Sequence, residues 1–356
     1  MRDSRRAAQA ARLRHVSPDE PGFRRVRSGK CFRYLTPRGG HLTDARQLTR
    51  IAALVIPPAW QDVWICASTD GHIQATGFDA RGRKQYRYHP AWRATRDQAK
   101  FQDLIAFGHA LPRLRAVARQ HLDDSRLTKR KVLATIVTLL DRTCIRVGND
   151  EYACSNKSYG LTTLLDRHAH VLARGVEFRF RGKGGKPHAI SVADRKLAAI
   201  VKRCRDIPGQ RLFQYVDARG AYRSISSTDV NRYLQEISGC PFTAKEFRTW
   251  AATTHALASL AASGPHSSHA ASKRALLAAI VDTAERLGNT PAICRKSYIH
   301  PAVCEAHLAG ELRELFQAEL ANARRRARRG MSSEESAALA CLEHWVPRAR
   351  RLARCA

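Results

Sequence analysis

The chain has 356 residues, of which 44% are hydrophobic and 26% are charged, so it can fold around its own core and is neither a disordered nor a disulfide-stapled protein. Its 62 Lys and Arg against 31 Asp and Glu give a net charge of +31. Residues 1–33 carry +7, residues 324–356 carry +6 and the body between them carries +18, so the folded part itself predicts a polyanionic partner such as nucleic acid.

The first hundred residues have the pattern of β structure. Short apolar runs alternate with turn clusters, which predicts strands at 31–35, 63–67 and 73–78. The Asp70-Gly71 pair between the last two runs predicts a hairpin. One helix is expected at 44–54, where it ends before a pair of prolines.

Long segments with a helical apolar repeat follow Pro90. In the clearest of them, Val132, Ile136 and Leu140 recur at the spacing of one helix face. Similar stripes predict helices near 195–204, 228–237, 245–262 and 271–287.

A single β segment interrupts this helical half. Val176, Phe178 and Phe180 alternate with charged residues, and apolar residues alternate again after the turn Gly182-Lys183-Gly-Gly-Lys186. The pattern predicts a β-hairpin near 176–192 with lysines at its tip.

These elements predict an α+β protein in three parts. A β-rich amino-terminal domain is expected at 1–95, and a mainly helical domain with the β-hairpin is expected at 96–325. The remainder, 326–356, is expected to be a basic carboxy-terminal tail in which a Glu/Ala-rich stretch forms at most a last short helix.

Several functional classes are excluded by what the sequence lacks. No stretch approaches eighteen apolar residues, so a membrane is not an expected partner. The ten cysteines form no C-x-x-C pair and no zinc-spaced Cys/His cluster, which favours free thiols in a reducing cytosol and no bound metal. Neither a P-loop nor a dinucleotide-binding turn is present, so no cofactor is expected and the chain should act without ATP.

Cleavage of a phosphodiester without a metal needs a nucleophile, fixed cations for the phosphoryl oxygens and an acid for the leaving oxygen. Tyr, Arg and Lys fill these roles. Candidates in unusual local settings are Arg146, Lys183 on the hairpin, Arg248 between Phe247 and Trp250, Asn289 after Gly288, and Tyr298 in a basic segment. Spacing alone does not show that they converge.

Four motifs contain these residues: Arg146-Val-Gly-Asn149, Gly182-Lys183-Gly-Gly-Lys186, Lys245-Glu-Phe-Arg248-Thr-Trp250 and Asn289-Thr-Pro-Ala-Ile-Cys-Arg-Lys-Ser-Tyr298. A fifth motif, Tyr159-Gly-Leu-Thr-Thr-Leu164, lies between the first two. The separations between consecutive candidates, from Arg146 through Lys183, Arg248 and Asn289 to Tyr298, are 37, 65, 41 and 9 residues. In this order and at close to these intervals the chain resembles type IB DNA topoisomerases, in particular the small poxvirus-like branch that also occurs in bacteria. The resemblance covers roughly residues 20–310.

The resemblance implies a role for each candidate. Tyr298 would be the nucleophile that forms a 3′-phosphotyrosyl link, and Arg146 and Arg248 would hold the scissile phosphate. Lys183 would protonate the departing 5′-oxygen, with Lys186 as the competing candidate. Many members have histidine where this chain has Asn289, and an amide there would act by hydrogen bonding to a non-bridging oxygen.

A second group of residues is implied to contact DNA around the phosphate. The segment Gly82-Arg-Lys-Gln-Tyr86-Arg-Tyr88 resembles the DNA-contacting strand of the family, and two tyrosines at i and i+2 share one face of a strand. The residues assigned to DNA are Gln85, Tyr86, Tyr88, Lys157, Tyr159, Lys186 and Lys245.

The function implied is relaxation of supercoiled duplex DNA by transient cleavage of one strand, rotation and religation, without ATP or metal. The catalytic domain would be of the topoisomerase IB/tyrosine recombinase type, and the two domains would close around duplex DNA. The protein is expected to be a monomer in the bacterial cytoplasm, associated with the nucleoid.

Two alternatives stay open at this stage. A site-specific tyrosine recombinase shares the chemistry, although recombinases commonly have histidine three residues before the second arginine, where this chain has Lys245. A basic DNA- or RNA-binding protein could also retain the fold without catalysis.

Overall fold

The computed structural model describes residue 5 and residues 8–29, 31–80 and 82–355, and it defines their side chains except at 96–100, 102, 152 and 347–355. The chain divides into two compact units, Met1–Gln102 and Asp103–Ala356. The division falls inside one long helix, a few residues beyond the expected boundary after residue 95. A small β-sheet region followed by a mostly helical remainder confirms the α+β class.

The first unit is built on an antiparallel sheet. Its strands are β1 (Gly22–Ser28), β2 (Cys31–Leu35), β3 (Gln61–Cys66), β4 (Ile73–Phe78) and β5 (Lys84–Tyr88), arranged in the order β2-β1-β3-β4-β5. Phe23, Ile65 and Ala75 pack with Ile51 of helix α1 (Ala45–Ala53), and the Asp44 side chain caps that helix. Sequence patterning did not predict β1, because three arginines in seven residues obscure its alternation.

The second unit is mainly helical and surrounds one buried helix. The helices, the first of which begins in the first unit, are α2 (Pro90–Leu122), α3 (Lys129–Thr143), α4 (Asp150–Asn156), α5 (Arg195–Arg205), α6 (Ser227–Ser238), α7 (Ala244–Ala262), α8 (His269–Leu287), α9 (Pro291–Ser297), α10 (Pro301–Leu308), α11 (Leu312–Arg325) and α12 (Ser333–Cys355). The apolar residues between 132 and 140 in α3 are all buried, and each Val, Leu and Ile side chain among them contributes about 1.5–3 kcal/mol of hydrophobic stabilisation. Within the described ranges, every helix is either too short or too polar to be a transmembrane segment.

A three-stranded antiparallel sheet interrupts these helices. Its strands are β6 (Ala169–Leu172), β7 (Gly175–Arg181) and β8 (Pro187–Val192), in that order. The structure contains the hairpin expected at 176–192, in which Phe178 pairs with Ile190 and Phe180 pairs with His188. Two further strands, β9 (Gln214–Val216) and β10 (Tyr222–Ser224), form a second short hairpin that the sequence analysis did not predict.

The carboxy-terminal segment differs from the expected basic tail. Helix α12 buries Ala337, Ala338, Leu339, Cys341, Leu342 and Trp345. The part of the helix that carries these apolar residues packs against α7 and α11. The arginines that suggested a tail lie on either side of this apolar stretch.

Candidate active site

Arg146 lies in a short loop that follows the buried helix α3. That helix ends at Cys144, whose backbone is left-handed, and the loop turns again at Gly148, with a φ of 106°. A Cβ added to Gly160 would lie 2.5 Å from the Arg146 carbonyl oxygen, so the two loops touch backbone to backbone. The Leu161 N–H also donates to that oxygen at 2.9 Å. The two glycine-containing motifs therefore hold each other in place.

Arg248 lies on α7 and is only 4% exposed. Its guanidinium donates to the carbonyl of Cys144 and, at 2.8 Å, to the carbonyl of Leu287. These oxygens lie at the carboxyl ends of α3 and α8, where the helix dipole favours a positive charge. Its Nε has no hydrogen-bond partner among the described residues. Backbone carbonyls thus hold this arginine, and one buried N–H is left unpaired.

Asn289 follows Gly288, the left-handed cap of α8, and is 8% exposed. Its side-chain oxygen accepts a hydrogen bond from Arg146, and its backbone oxygen accepts one from Lys186 Nζ at 3.2 Å. The side-chain nitrogen, Nδ2, is buried without a partner in the described part of the chain. Asn289 therefore connects the first arginine loop, the lysine hairpin and the end of α8.

Tyr298 is the cap residue at the end of α9. The Arg248 guanidinium carbon lies 5.1 Å from the centre of the Tyr298 ring, in cation–π geometry. The Tyr298 carbonyl accepts a hydrogen bond from the Thr253 hydroxyl at 3.0 Å, and Thr253 is on the same helix as Arg248. One helix thus positions both the second arginine and the tyrosine.

The cluster is positively charged. No carboxylate of the described residues lies within ion-pair distance of Arg146, Arg248 or Lys186. Burial, reinforced by the charge of Arg248 and partly opposed by Tyr298, lowers the pKa of Arg146 to about 10. Such an arrangement is suited to an external anion.

The two hairpin lysines differ in their surroundings. Lys183 lies in a glycine-rich turn, is exposed, and has no hydrogen-bond or ion-pair partner among residues with described side chains. Lys186 is also exposed, but its ammonium reaches the Asn289 carbonyl. The structure therefore joins Lys186 to the cluster directly, whereas Lys183 extends from the turn between Gly182 and Lys186.

The residues assigned to DNA lie in both units. In the second unit, Lys157 and Tyr159 line an open groove of about 850 Å³ beside the hairpin, and Lys245 is exposed on the first turn of α7. Arg167, Arg179 and Arg181 line the same groove.

In the first unit, the three assigned residues are neighbours on β5. The Tyr86 and Tyr88 rings stack with centroids 5.7 Å apart, and Tyr86 is 39% exposed. Gln85 donates to Asp79 at 2.9 Å. Tyr88 is half-buried and packs against Val16 and Ile73, so Tyr86 is the ring of the pair that is exposed and can lie against a nucleic-acid groove.

Sequence analysis missed two residues that contact the cluster. Thr253 holds the Tyr298 backbone, and the His188 ring lies close to both Gly182 and Gly288. Alternation along β8 was the available signal for His188, since it places this side chain on the inner face with Ile190.

Comparisons with known proteins match two family models to this chain. A family model described as "Eukaryotic DNA topoisomerase I, catalytic core" matches residues 89–324, and one described as "Bacterial DNA topoisomerase IB, N-terminal domain" matches residues 31–79. The first range contains Arg146, Lys183, Arg248, Asn289 and Tyr298, whereas Gln85, Tyr86 and Tyr88 lie between the two ranges.

Curated relatives extend over most of the chain. DNA topoisomerase 1B of Acanthamoeba polyphaga mimivirus is 30% identical over 285 residues, which cover 78% of this chain and 85% of the relative. DNA topoisomerase 1B of vaccinia virus (strain Copenhagen) is 23% identical over 297 residues, which cover 82% of this chain and 84% of the relative.

Proposed function

The chain belongs to the family of type IB DNA topoisomerases, and on that premise we propose how its own side chains relax supercoiled duplex DNA. The observation that carries the proposal is a pair of buried, unpartnered donors, Arg248 Nε and Asn289 Nδ2, in the cluster that contains Tyr298. Buried donors without acceptors are costly, and a phosphodiester oxygen would satisfy them. The scissile phosphate is therefore the group that this cluster binds.

Tyr298 is the nucleophile in this proposal. Its phenol oxygen attacks phosphorus and releases its proton to solvent water, the new P–O bond forms, and the bond to the 5′-oxygen breaks. Because an aryl oxide is a better leaving group than an alkoxide, the 5′-hydroxyl can reverse the step and reseal the strand without ATP.

Arg146 and Arg248 neutralise the charge that develops on the non-bridging oxygens. Both are charged before the reaction and fixed by the protein, so no reorganisation is needed in the transition state. Asn289 adds one neutral hydrogen bond through Nδ2, since its side-chain oxygen is already bound to Arg146. Fixed cations thus supply the electrostatic stabilisation that metal ions supply in other phosphoryl-transfer enzymes.

Lys183 is the acid that protonates the departing 5′-oxygen. Its free ammonium on a glycine-rich turn can reach a bound strand, whereas the Lys186 ammonium is already used by the Asn289 carbonyl. Lys186 is assigned to the DNA backbone and to holding the hairpin. The proton given by Lys183 balances the one lost by Tyr298 over the complete cleavage step.

Both units contribute to DNA binding in this proposal. Lys157, Tyr159 and Lys245 contact the strand around the phosphate, and Gln85, Tyr86 and Tyr88 present a second surface. Because many contacts are to phosphates, binding weakens steeply with salt. The match to the bacterial amino-terminal model supports a bacterial enzyme, and we assign it to nucleoid DNA in the cytoplasm as a monomer.

Plasmid relaxation in EDTA without ATP tests the proposal. The wild type should relax a plasmid that lacks any special site and form a denaturant-resistant covalent adduct with DNA. Tyr298→Phe should bind DNA as well as the wild type does but form no adduct and relax nothing, because the ring remains while the nucleophile is lost. Relaxation by Tyr298→Phe, or a wild type that never forms the adduct, would refute the assignment.

A further inference from the structure

We propose that His188 is a positioning residue that holds the lysine hairpin against the Asn289 turn, and so places Lys183 for proton transfer. The inference rests on the proposed function, because it assigns a task to a residue that supports the same site. His188 lies on β8 directly opposite Phe180, and the two rings stack with centroids 5.0 Å apart and an interplanar angle of 16°. This stacking fixes the imidazole on the inner face of the hairpin.

The imidazole fits between two glycines, one on each side of the site. A Cβ added to Gly182 would lie 2.5 Å from His188 Nε2, and a Cβ added to Gly288 would lie 2.7 Å from His188 Cε1. These distances are far below van der Waals contact, so only glycine leaves room for the ring at either position. Gly182 directly precedes Lys183, and Gly288 directly precedes Asn289. The ring therefore spans the gap between the two functional segments.

At position 182 a glycine is needed because a larger residue would collide with the imidazole, and not because the backbone conformation requires it. Its φ of −90° and ψ of −167° are open to any residue, whereas Gly288 has a φ of 62° and caps α8. The glycine at 182 is thus explained by the imidazole that lies against it. The substitution Gly182→Ala should therefore displace the His188 ring without straining the backbone at position 182.

The hairpin tip has few other attachments to the phosphate cluster. Gly184 and Gly185 would meet nothing within 4 Å if a Cβ were added, and the described contact from the tip to the Asn289 turn is the hydrogen bond of Lys186. A single exposed lysine holds a chain segment weakly, because its side chain loses rotamer entropy on binding. The stacked, half-buried His188 is the rigid part of the connection.

The surroundings of His188 require it to be neutral in this role. Burial, and then the charges of Arg146, Arg248 and Lys186, lower the pKa of the imidazole. Arg286 of α8 lines the same small cavity, and no carboxylate of a described residue forms an ion pair with the ring. A neutral ring supports the hairpin without adding a further cation to the phosphate site.

Cleavage of two DNA substrates by His188→Ala tests the inference. One substrate is an ordinary strand, and the other carries sulfur in place of the 5′-bridging oxygen, which leaves as thiolate without a proton. We expect His188→Ala to cleave the ordinary strand at least about tenfold more slowly than the wild type, since small displacements of a reacting group are costly. We expect the loss to disappear on the sulfur substrate, as it should for Lys183→Ala.

A matched control and a second variant decide between positioning and folding. His170→Ala removes an exposed histidine from β6 of the same sheet and should cleave both substrates as the wild type does. Gly182→Ala should show the same rescued defect as His188→Ala, and it should add little in the His188→Ala background, because the clash partner is gone. Gly182→Ala keeps the imidazole, so it gives the answer even if His188→Ala fails to fold.

Three outcomes separate the two claims. A defect in His188→Ala or Gly182→Ala that the sulfur substrate does not rescue overturns the positioning role, since the fault then lies with the nucleophile or the phosphate cations. Wild-type cleavage by both variants overturns it as well. Failure of the wild type to form a covalent adduct with either substrate overturns the proposed function itself.

Discussion

Two partly buried arginine sites in the second unit are built in opposite ways. The Arg115 guanidinium on α2 donates to both carboxylate oxygens of Asp141 and to both of Glu335, at 2.7–2.9 Å. Burial lowers the pKa of Arg115, but these two carboxylates raise it by more, so its pKa lies above the ordinary value. Arg146 and Arg248 have no carboxylate among the described residues, and the pKa of Arg146 is lowered to about 10. The first site is complete within the protein. In the second, Arg248 Nε and Asn289 Nδ2 are buried without a partner among the described residues, and we propose that a phosphate oxygen binds them.

This contrast separates a structural ion pair from a binding site on physical grounds. A buried charge must be compensated, and the protein compensates Arg115 with its own acids and Arg248 with helix-end carbonyls that leave Nε unpaired. Cationic residue type alone does not distinguish the two sites. The identity of the partners does.

The largest effect is expected at Arg248. Arg248→Gln removes a preorganised donor from the developing phosphoryl charge, so strand cleavage should slow by about 10²–10³-fold. DNA binding, measured by filter retention, should fall much less, because most phosphate contacts lie elsewhere. Cleavage within about twofold of wild type would contradict the comparison, since it would make Arg248 a structural arginine like Arg115.

The converse is expected at Arg115. Arg115→Gln leaves two acidic groups without their partner, so the free energy of unfolding should fall by about 3 kcal/mol. Chemical denaturation measures that change. At a temperature where the variant is folded, its single-turnover cleavage should match the wild type, because Arg115 belongs to the internally paired site. A selective loss of cleavage with unchanged stability would reverse the two assignments.

A buried base near the tyrosine gives a pH test. His300 is 8% exposed, accepts the Ala302 N–H, and has a pKa lowered by burial to about 4. As the pH falls, His300 is protonated near pH 6.5 in the unfolded chain but only near pH 4 in the folded protein. The stability that neutral His300 contributes is therefore present above about pH 6.5 and is lost as the pH falls toward 4. Between pH 7.5 and 5 this should cost about 2 kcal/mol.

The matched variant for that test is His300→Asn. Asparagine can keep the helix cap of α10 without titrating. Its unfolding free energy should therefore fall less between pH 7.5 and 5 than that of the wild type. Equal losses in the two proteins would place the acid sensitivity elsewhere.

The smallest change in stability is expected at Arg146, and the sign of that change is informative. Without DNA, Arg146→Gln removes a partly buried charge that is repelled by Arg248, so the variant should be as stable as the wild type or more stable, by on the order of 1 kcal/mol. Thermal unfolding measures this, and the same variant should cleave DNA poorly. A large loss of stability would show that Arg146 stabilises the fold, which would contradict its assignment as an anion-binding residue.

Much of the local structure could be predicted because it depends on neighbouring residues. Alternation gave the hairpin near 176–192, and the apolar repeat gave the buried helix α3. Strand β1 was missed because its arginines hide the alternation, and α12 was taken for a tail because flanking arginines outweighed its apolar face. Both errors arose where net charge and apolar periodicity pointed to different structures.

The sequence alone determined the chemistry that is available: a basic body, a glycine-rich lysine turn, and arginine and tyrosine residues in motifs of defined spacing. Only the tertiary structure decided which arginine is neutralised by acids and which keeps an unpaired buried donor, because Arg115 and Glu335, or Arg248 and Leu287, meet from distant parts of the chain. The role proposed for His188 also depends on the tertiary structure, because glycines on two separate segments meet its ring. The periodicity of a segment indicates whether it forms a helix or a strand. The burial and pairing of a side chain depend instead on which distant segments the fold packs against it.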